Sequence, residues 1–279
     1  MKNTLLIFGY GYTGSHIANL MSQNKWHVIG TSRSLNTNTI PYKKEAVNEV
    51  MKLTTHILIS IPPDENGDVV LADFSDILPL AKNLKWIGYL SSTAVYGDHG
   101  GDLVNEESIL RPLTMRAKQR IMAENGWLEF GKKHKISVNI FRLSGIYGPK
   151  RNALDQVRAR VAKSIFKEGQ VFSRIHVEDI ARTILAATEL DSKTEIYNLA
   201  DDEPCPTFEV NNFAAELLGV PPPPIIDIKE AKLSLMAKEF YNDNRIISNT
   251  KIKDKLHIKL KYPTFREGLR TCLDKAAML

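Results

Sequence analysis

The sequence predicts an α/β fold: a Rossmann-type doubly wound parallel sheet with a small C-terminal substrate lobe. Short apolar runs of strand length alternate with helix-length segments along most of the chain, the pattern of parallel strands joined by helical crossovers. The first of these runs breaks into Gly9-Tyr10-Gly11-Tyr12-Thr13-Gly14 and resumes with Ile17, Leu20 and Met21 at helical spacing. At 279 residues, 43% hydrophobic and 25% charged, the chain can bury a sizeable core and has an ordinary globular composition.

In chain order, strands are expected at Thr4–Phe8, His27–Thr31, Ile57–Ser60, Trp86–Leu90, Ser137–Arg142 and Ile196–Leu199. Helical periodicity covers residues 14–24, 114–133, 154–167, 178–190 and 207–218, the last stopped by Gly219. Pro221–Pro224 cannot continue a helix and reads as an extended connector. The expected division is a dinucleotide-binding domain over 1–150, to which 175–200 return, and a small mixed lobe over 151–279.

Composition excludes several classes. The longest apolar runs are strand-length, too short to span a bilayer. Lys2 precedes Leu5–Phe8, but that run is too short for a signal-peptide core and glycines follow it at once. Two cysteines, Cys205 and Cys272, make neither a disulfide framework nor a zinc site, which points to a reducing cytoplasm. No metal-ligand cluster and no Ser-His-Asp order stands out. The net charge is +5. Residues 1–44 hold five basic residues (Lys2, Lys25, Arg33, Lys43, Lys44) and no acid, so the rest of the chain is balanced. A local excess without interleaved aromatics argues against a nucleic-acid groove.

The G-x-G-x-x-G follows a strand and opens a helix, the context of a dinucleotide fingerprint. Glycines there allow a tight turn and a close approach of backbone to pyrophosphate at a helix N-terminus. A glycine-rich turn without a ligand is the alternative. An NAD site usually carries Asp or Glu at the end of the second strand, to hold ribose hydroxyls. Here that place reads Gly30-Thr31-Ser32-Arg33-Ser34, and the first acid is Glu45. Arg33, helped by Ser32, suits a 2′-phosphate, so NADP(H) is the expected cofactor, with NAD(H) second. A solvated loop arginine is the other reading of Arg33. The cofactor-side residues are therefore Gly9, Tyr10, Gly11, Tyr12, Thr13, Gly14, Ser32 and Arg33, with Ser60 at the end of the third of these strands.

"WIGYLSSTAVYG" at 86–97 resembles the extended short-chain dehydrogenases/reductases, especially their NAD-dependent epimerase/dehydratase group. "FRLSGIYGP" at 141–149, "RIHVEDIA" at 174–181 and "YNLADDEP" at 197–204 support the resemblance, as does "YPTFREGL" at 262–269 more weakly. It implies a Rossmann-type domain, a smaller lobe that often holds a sugar nucleotide, and a catalytic hydroxyl followed by Tyr-x-x-x-Lys. The hydroxyl falls on Ser92. Thr93 and Ala94 stand where the dehydratases carry Asp-Glu, so elimination by that route is not expected. Aligned through Pro112-Leu113-Thr114 and Ala123-Glu124, Arg116 takes the tyrosine's place and Arg120 the lysine's. Spacing i, i+4 puts both on one helical face. Arginine stays protonated and cannot replace a phenol as base. The pair instead suits an anion, unless both are ordinary surface arginines.

Tyr96, Tyr147 and His176 are further proton-transfer candidates, with packing the favoured role for each. Arg174 suits either a substrate phosphate or an ion pair with Glu178, and Arg245 is another anion-contact candidate. The expectation is an NADP(H)-dependent oxidoreductase or epimerase on a small anionic or sugar-nucleotide substrate. The competing expectation is a non-catalytic sensor of NADPH/NADP acting through a partner.

Overall fold

The computed structural model describes residues 3–34, 37–190 and 193–277. In chain order the elements are β1 (Thr4–Phe8), α1 (Tyr12–Gln23), β2 (His27–Thr31), β3 (Thr39–Ile40), α2 (Lys44–Met51), β4 (His56–Ile59), α3 (Val69–Phe74), β5 (Trp86–Ser92) and β6 (Leu103–Val104). The middle of the chain adds α4 (Met115–His134), β7 (Ser137–Leu143), β8 (Gly145–Tyr147), α5 (Ala153–Arg158), β9 (Ser164–Phe166), β10 (Arg174–His176), α6 (Val177–Glu189) and β11 (Glu195–Leu199). The last part holds α7 (Thr207–Leu218), β12 (Ile225–Asp227), α8 (Leu235–Asn242), β13 (Ile246–Ile247), α9 (Thr250–Leu256) and α10 (Phe265–Ala277).

A seven-stranded sheet in the order β11-β7-β5-β4-β1-β2-β3 forms the centre, and every pairing in it is parallel. Both faces are covered, which is why its strands read as unbroken apolar runs. Leu5, Ile7, Leu58, Leu90 and Phe141 pack on one face against Ile17 and Met21 of α1 and Ile180 and Ile184 of α6. Leu6, Phe8, Ile57, Ile59 and Ile140 face the other way, onto Val47 of α2, Val70 and Phe74 of α3 and Trp127 of α4. The alternation is the period of two that a pleated strand imposes.

After β1 the chain runs outward to β2 and β3 and then returns to β4 on the other side. That reversal opens a crevice beyond the carboxyl ends of β1 and β4. A second core joins α5, α7 and α10 through Leu154, Val210, Phe213, Phe265 and Leu269. No helix among the described residues is long and apolar enough to cross a membrane.

One expected helix is corrected. The segment 154–167 is helical only as far as Arg158, and Ser164–Phe166 is a strand paired with Ile225–Asp227. Arg160 takes a left-handed backbone, φ 56°, which breaks the helix before its apolar periodicity runs out.

Candidate functional site

The three glycines of the first turn have different reasons to be glycine. Gly9 has φ 94°, and a Cβ there would lie 2.8 Å from Ile61 Cγ1 at the end of β4. A Cβ on Gly14 would lie 2.6 Å from the Gly9 carbonyl oxygen, so its absence lets α1 sit against the turn. Gly11 is the exception. Its φ of −90° suits any residue, and a Cβ there meets nothing within 4 Å. The fold does not require glycine at 11, and the open ground in front of it suits a group lying against the backbone. Gly11 is also the N-cap of α1 without a side-chain cap, so the first-turn N–H groups remain for an anion. These residues fit a dinucleotide pyrophosphate.

Around the turn, Tyr10 packs over Gly30 of β2, where a Cβ would lie 2.1 Å from its ring. Tyr12 donates its hydroxyl to the Pro149 carbonyl at 3.1 Å, with the Arg151 guanidinium over its ring. Its side chain thus ties α1 to the loop after β8, while its backbone stays in the first turn. Thr13 is buried in that turn. Ser32 and Arg33 follow the end of β2, half-buried and exposed respectively, and Ser32 Oγ accepts from Ser34 N. Ser60 follows β4, and its N–H donates to the Phe8 carbonyl at 2.8 Å.

A cavity of about 600 Å³ opens beyond β5 and β7. Ser92, Arg116 and Arg120 all line it, together with Thr114, Ser144, Phe172, Phe240, Asp243 and Arg245. Ser92 ends β5, and its Oγ accepts from Ala94 N at 3.2 Å. Thr114 caps α4 by accepting from Ala117 N at 3.1 Å, which sets the helix's first turn against the cavity. Arg116 is exposed and has no hydrogen bond or ion pair to the described residues. Arg120 is half-buried, and its Nη1 donates to the Leu90 carbonyl at 2.6 Å and the Tyr89 hydroxyl at 3.2 Å.

A buried polar network supports the cavity floor. Glu124 of α4 accepts from Arg142 Nη2 at 2.7 Å and from the Ser91 hydroxyl. Arg142 Nη1 donates to the Tyr96 hydroxyl at 3.0 Å, which in turn donates to Asn198 Oδ1 at 2.7 Å. The Arg142–Glu124 side chains are only 3% and 2% exposed. Removing one partner of such a pair strands the other charge, so the network locks β5, α4, β7 and β11 together beneath Ser92.

Tyr96 and Tyr147 are both buried, and burial pushes both hydroxyls above their ordinary pKa. Tyr147 donates to the Thr264 carbonyl at 3.3 Å, so neither phenol opens on the cavity. His176 caps α6 through Nδ1, which accepts from Glu178 N, and its ring packs 3.9 Å from that of Tyr262. Arg174 does not pair with Glu178. Its Nη1 donates to the Phe172 and Cys205 carbonyls at 2.8 and 2.9 Å, while Glu178 accepts from Lys261 and Tyr262. Arg245 lines the cavity with its Nη1 spent on the Gly97 carbonyl at 2.8 Å and Asp243 Oδ2 at 3.0 Å. Phe172, Phe240 and Asp243 were not singled out by the sequence, because each joins the site only when distant segments fold over the strand ends, whereas Ser144 falls within the "FRLSGIYGP" stretch without a role assigned to it.

Residues 67–200 match the NAD dependent epimerase/dehydratase family. The chain is 39% identical to a functionally unknown conserved protein from Silicibacter pomeroyi DSS, over 98% of this chain and 99% of that one, with a TM-score of 0.92. It is 25% identical over 232 residues to a Methanocaldococcus jannaschii protein provisionally named UDP-glucose 4-epimerase, covering 70% of this chain and 75% of that one. The fold also matches a dTDP-glucose 4,6-dehydratase from Bacillus anthracis solved with NAD, at 20% identity, 99% and 97% coverage and a TM-score of 0.76. With its parallel sheet, its glycine turn at the switch point and these matches, the chain belongs to the NAD-dependent epimerase/dehydratase family of extended short-chain dehydrogenases/reductases.

Proposed function

We propose that this protein binds NADP(H) and acts as an oxidoreductase or epimerase on a small anionic or sugar-nucleotide substrate. The observation that carries the reading is Gly11, a glycine the fold does not need, facing open space at an uncapped helix N-terminus. The NAD complex of the Bacillus anthracis dehydratase supports a nicotinamide cofactor on this fold. Arg33 supports the phosphorylated form, since a guanidinium pairs with a phosphate and the sequence holds no acid before Glu45 to serve ribose hydroxyls at the end of β2.

A bound nicotinamide supplies hydride transfer at its ring C4. Ser92 Oγ already accepts from Ala94 N, so its O–H remains to donate to the oxygen on the reacting carbon. Arg116 has its full set of donors for an anionic group of the substrate. Among the described residues no tyrosine lines the cavity, so the proton on that oxygen exchanges with water. With Thr93 and Ala94 in place of two carboxylates, the site is not built for elimination.

The lack of a cavity-facing phenol also favours a second reading, a non-catalytic NADPH/NADP sensor that signals through a partner. Both readings require the same cofactor. Titrating NADPH and NADH into wild type and Arg33→Ala tests it. NADPH should bind the wild type about ten- to a hundredfold more tightly than it binds the variant, the loss expected for a charged hydrogen bond of about 1.5–3 kcal/mol. Equal affinity of the wild type for the two cofactors removes the NADP(H) assignment.

A further inference from the structure

Every strand of the central sheet runs the same way, so all the amino ends lie on the edge opposite the crevice. Lys25, Lys52, Lys85, Lys135 and Lys193 stand one to four residues ahead of β2, β4, β5, β7 and β11, and all five are exposed. The sheet order sets them out in a row, Lys193-Lys135-Lys85-Lys52-Lys25, with β1 between the last two. Five strand spacings make that row about 24 Å long. In these loops and the helix turns that lead into them, lysine outnumbers acid eight to two among the described residues. Glu49 is one of the two acids, and Lys52 already holds it at 2.7 Å. We propose that this edge is a docking surface for an anionic lipid bilayer, met with the crevice facing away.

Charge and apolar exposure together choose the partner. The C-terminus of a helix favours a cation, which accounts for a single lysine there. The end of α4 goes further, with Lys132, Lys133, His134 and Lys135 in succession. Its three lysines have no hydrogen bond or ion pair to the described residues. The same edge exposes leucines. Leu53, beside Lys52, is 62% exposed, and Leu80 and Leu190, ahead of β5 and β11, are 69% and 44% exposed. Asn83 Nδ2 donates to the Lys52 carbonyl at 3.4 Å, which sets the entries to β4 and β5 side by side. Lysines interleaved with exposed leucines suit a lipid interface, where the ammonium groups meet headgroup phosphates and the leucines enter between them. A nucleic-acid backbone gives those leucines nothing. These loops also carry no arginine and no exposed Phe, Tyr or Trp among the described residues, the groups that read bases and stack on them. The cavity opens beyond the other ends of β5 and β7, so attachment through this edge leaves it in solution.

The test is co-sedimentation of the full chain with phosphatidylcholine vesicles, and with vesicles in which about a third of the lipid is phosphatidylglycerol. The anionic vesicles should bind at least about tenfold more tightly than the neutral ones. That binding should fall at least about tenfold between about 0.05 M and about 0.5 M salt, as screening shortens the reach of the lysines. Lys132→Gln, Lys133→Gln and Lys135→Gln together should weaken it at least about tenfold. The same change of charge in the C-terminal lobe, Lys229→Gln with Lys232→Gln and Lys238→Gln, should leave it as in wild type. Leu53→Ser with Leu190→Ser should weaken it about tenfold, and duplex DNA at equal phosphate concentration should bind at least about tenfold more weakly than the anionic vesicles. Thermal melting checks that each variant folds, and the lysine variant stands if the leucine variant does not. Equal binding to the two kinds of vesicle overturns the proposal. So does an equal loss in the C-terminal control, or a folded leucine variant that binds as wild type. DNA bound as tightly as the anionic vesicles also overturns it, and makes the edge a nucleic-acid surface instead.

Discussion

At position 11 the backbone has φ −90° and ψ −158°, open to any residue, and a Cβ would meet no atom within 4 Å. Gly9 and Gly14 are held by the chain's own close approaches, whereas Gly11 is free of them. Gly11→Val should therefore melt close to wild type while losing measurable NADPH binding, because its side chain fills the ground a pyrophosphate would occupy. Thermal melting and a fluorescence titration of NADPH check the two halves, and normal binding by the variant makes the turn structural only. The glycines were legible because their spacing is local. Phe172 and Asp243 were not, since a phenylalanine in an irregular stretch and an aspartate in a polar segment look the same wherever they fold.

On α4 the expected range, 114–133, and the observed one, Met115–His134, differ by one residue because Thr114 is the cap. Arg116 and Arg120, one turn apart, both line the cavity, but only Arg120 is tethered to β5. Replacing the pair by Arg116→Tyr with Arg120→Lys places a phenol and an ammonium on the cavity-facing side of the helix. Turnover of sugar nucleotides or aldehydes should rise in the double variant by about 10²–10⁴-fold, the usual contribution of a positioned general acid or base. Cofactor consumption measures this, and no rise in a variant that still binds NADPH favours the sensor reading. The segment 154–167 shows the limit of periodicity. Its apolar spacing suits a helix, but Arg160 turns left-handed and Ile165 is drawn into a strand with a partner some sixty residues on.

Across the whole molecule, Asp201 sits where β11 leaves the sheet, beside the C-terminal segment. It is 3% exposed, and burial pushes its carboxyl up to about 8, with Arg174 opposing. A carboxyl raised in the folded state is protonated there more readily than in the unfolded chain. Its contribution to stability is therefore full at low pH and is lost as pH rises from the ordinary carboxylate range through about 8. Asp201→Asn should remove a slope of up to about 1.4 kcal/mol per pH unit in that window. Denaturant unfolding of both proteins at several pH values reads the difference, in which slopes from other groups cancel, and parallel profiles refute it.

The sequence alone determined six of the seven strands of the central sheet (all but β3), the helices α1, α4, α6 and α7, the glycine turn, the absence of an acid after β2 and the arginine pair Arg116 and Arg120 one turn apart; the short α2 and α3 carried too few residues to show a period. Each of these is written in neighbouring residues, whose period or type is the physical cause of the structure. Tertiary structure decided which faces were buried, that Tyr96 and Tyr147 turn away from the cavity, and that Arg245 pairs with Asp243. It also brought Ser144, Phe172 and Phe240 onto one lining. Those outcomes depend on contacts between residues more than a hundred positions apart, as between Tyr96 and Asn198 or Arg245 and Gly97. Such contacts are selected by the packing of the whole chain, and no local pattern carries them.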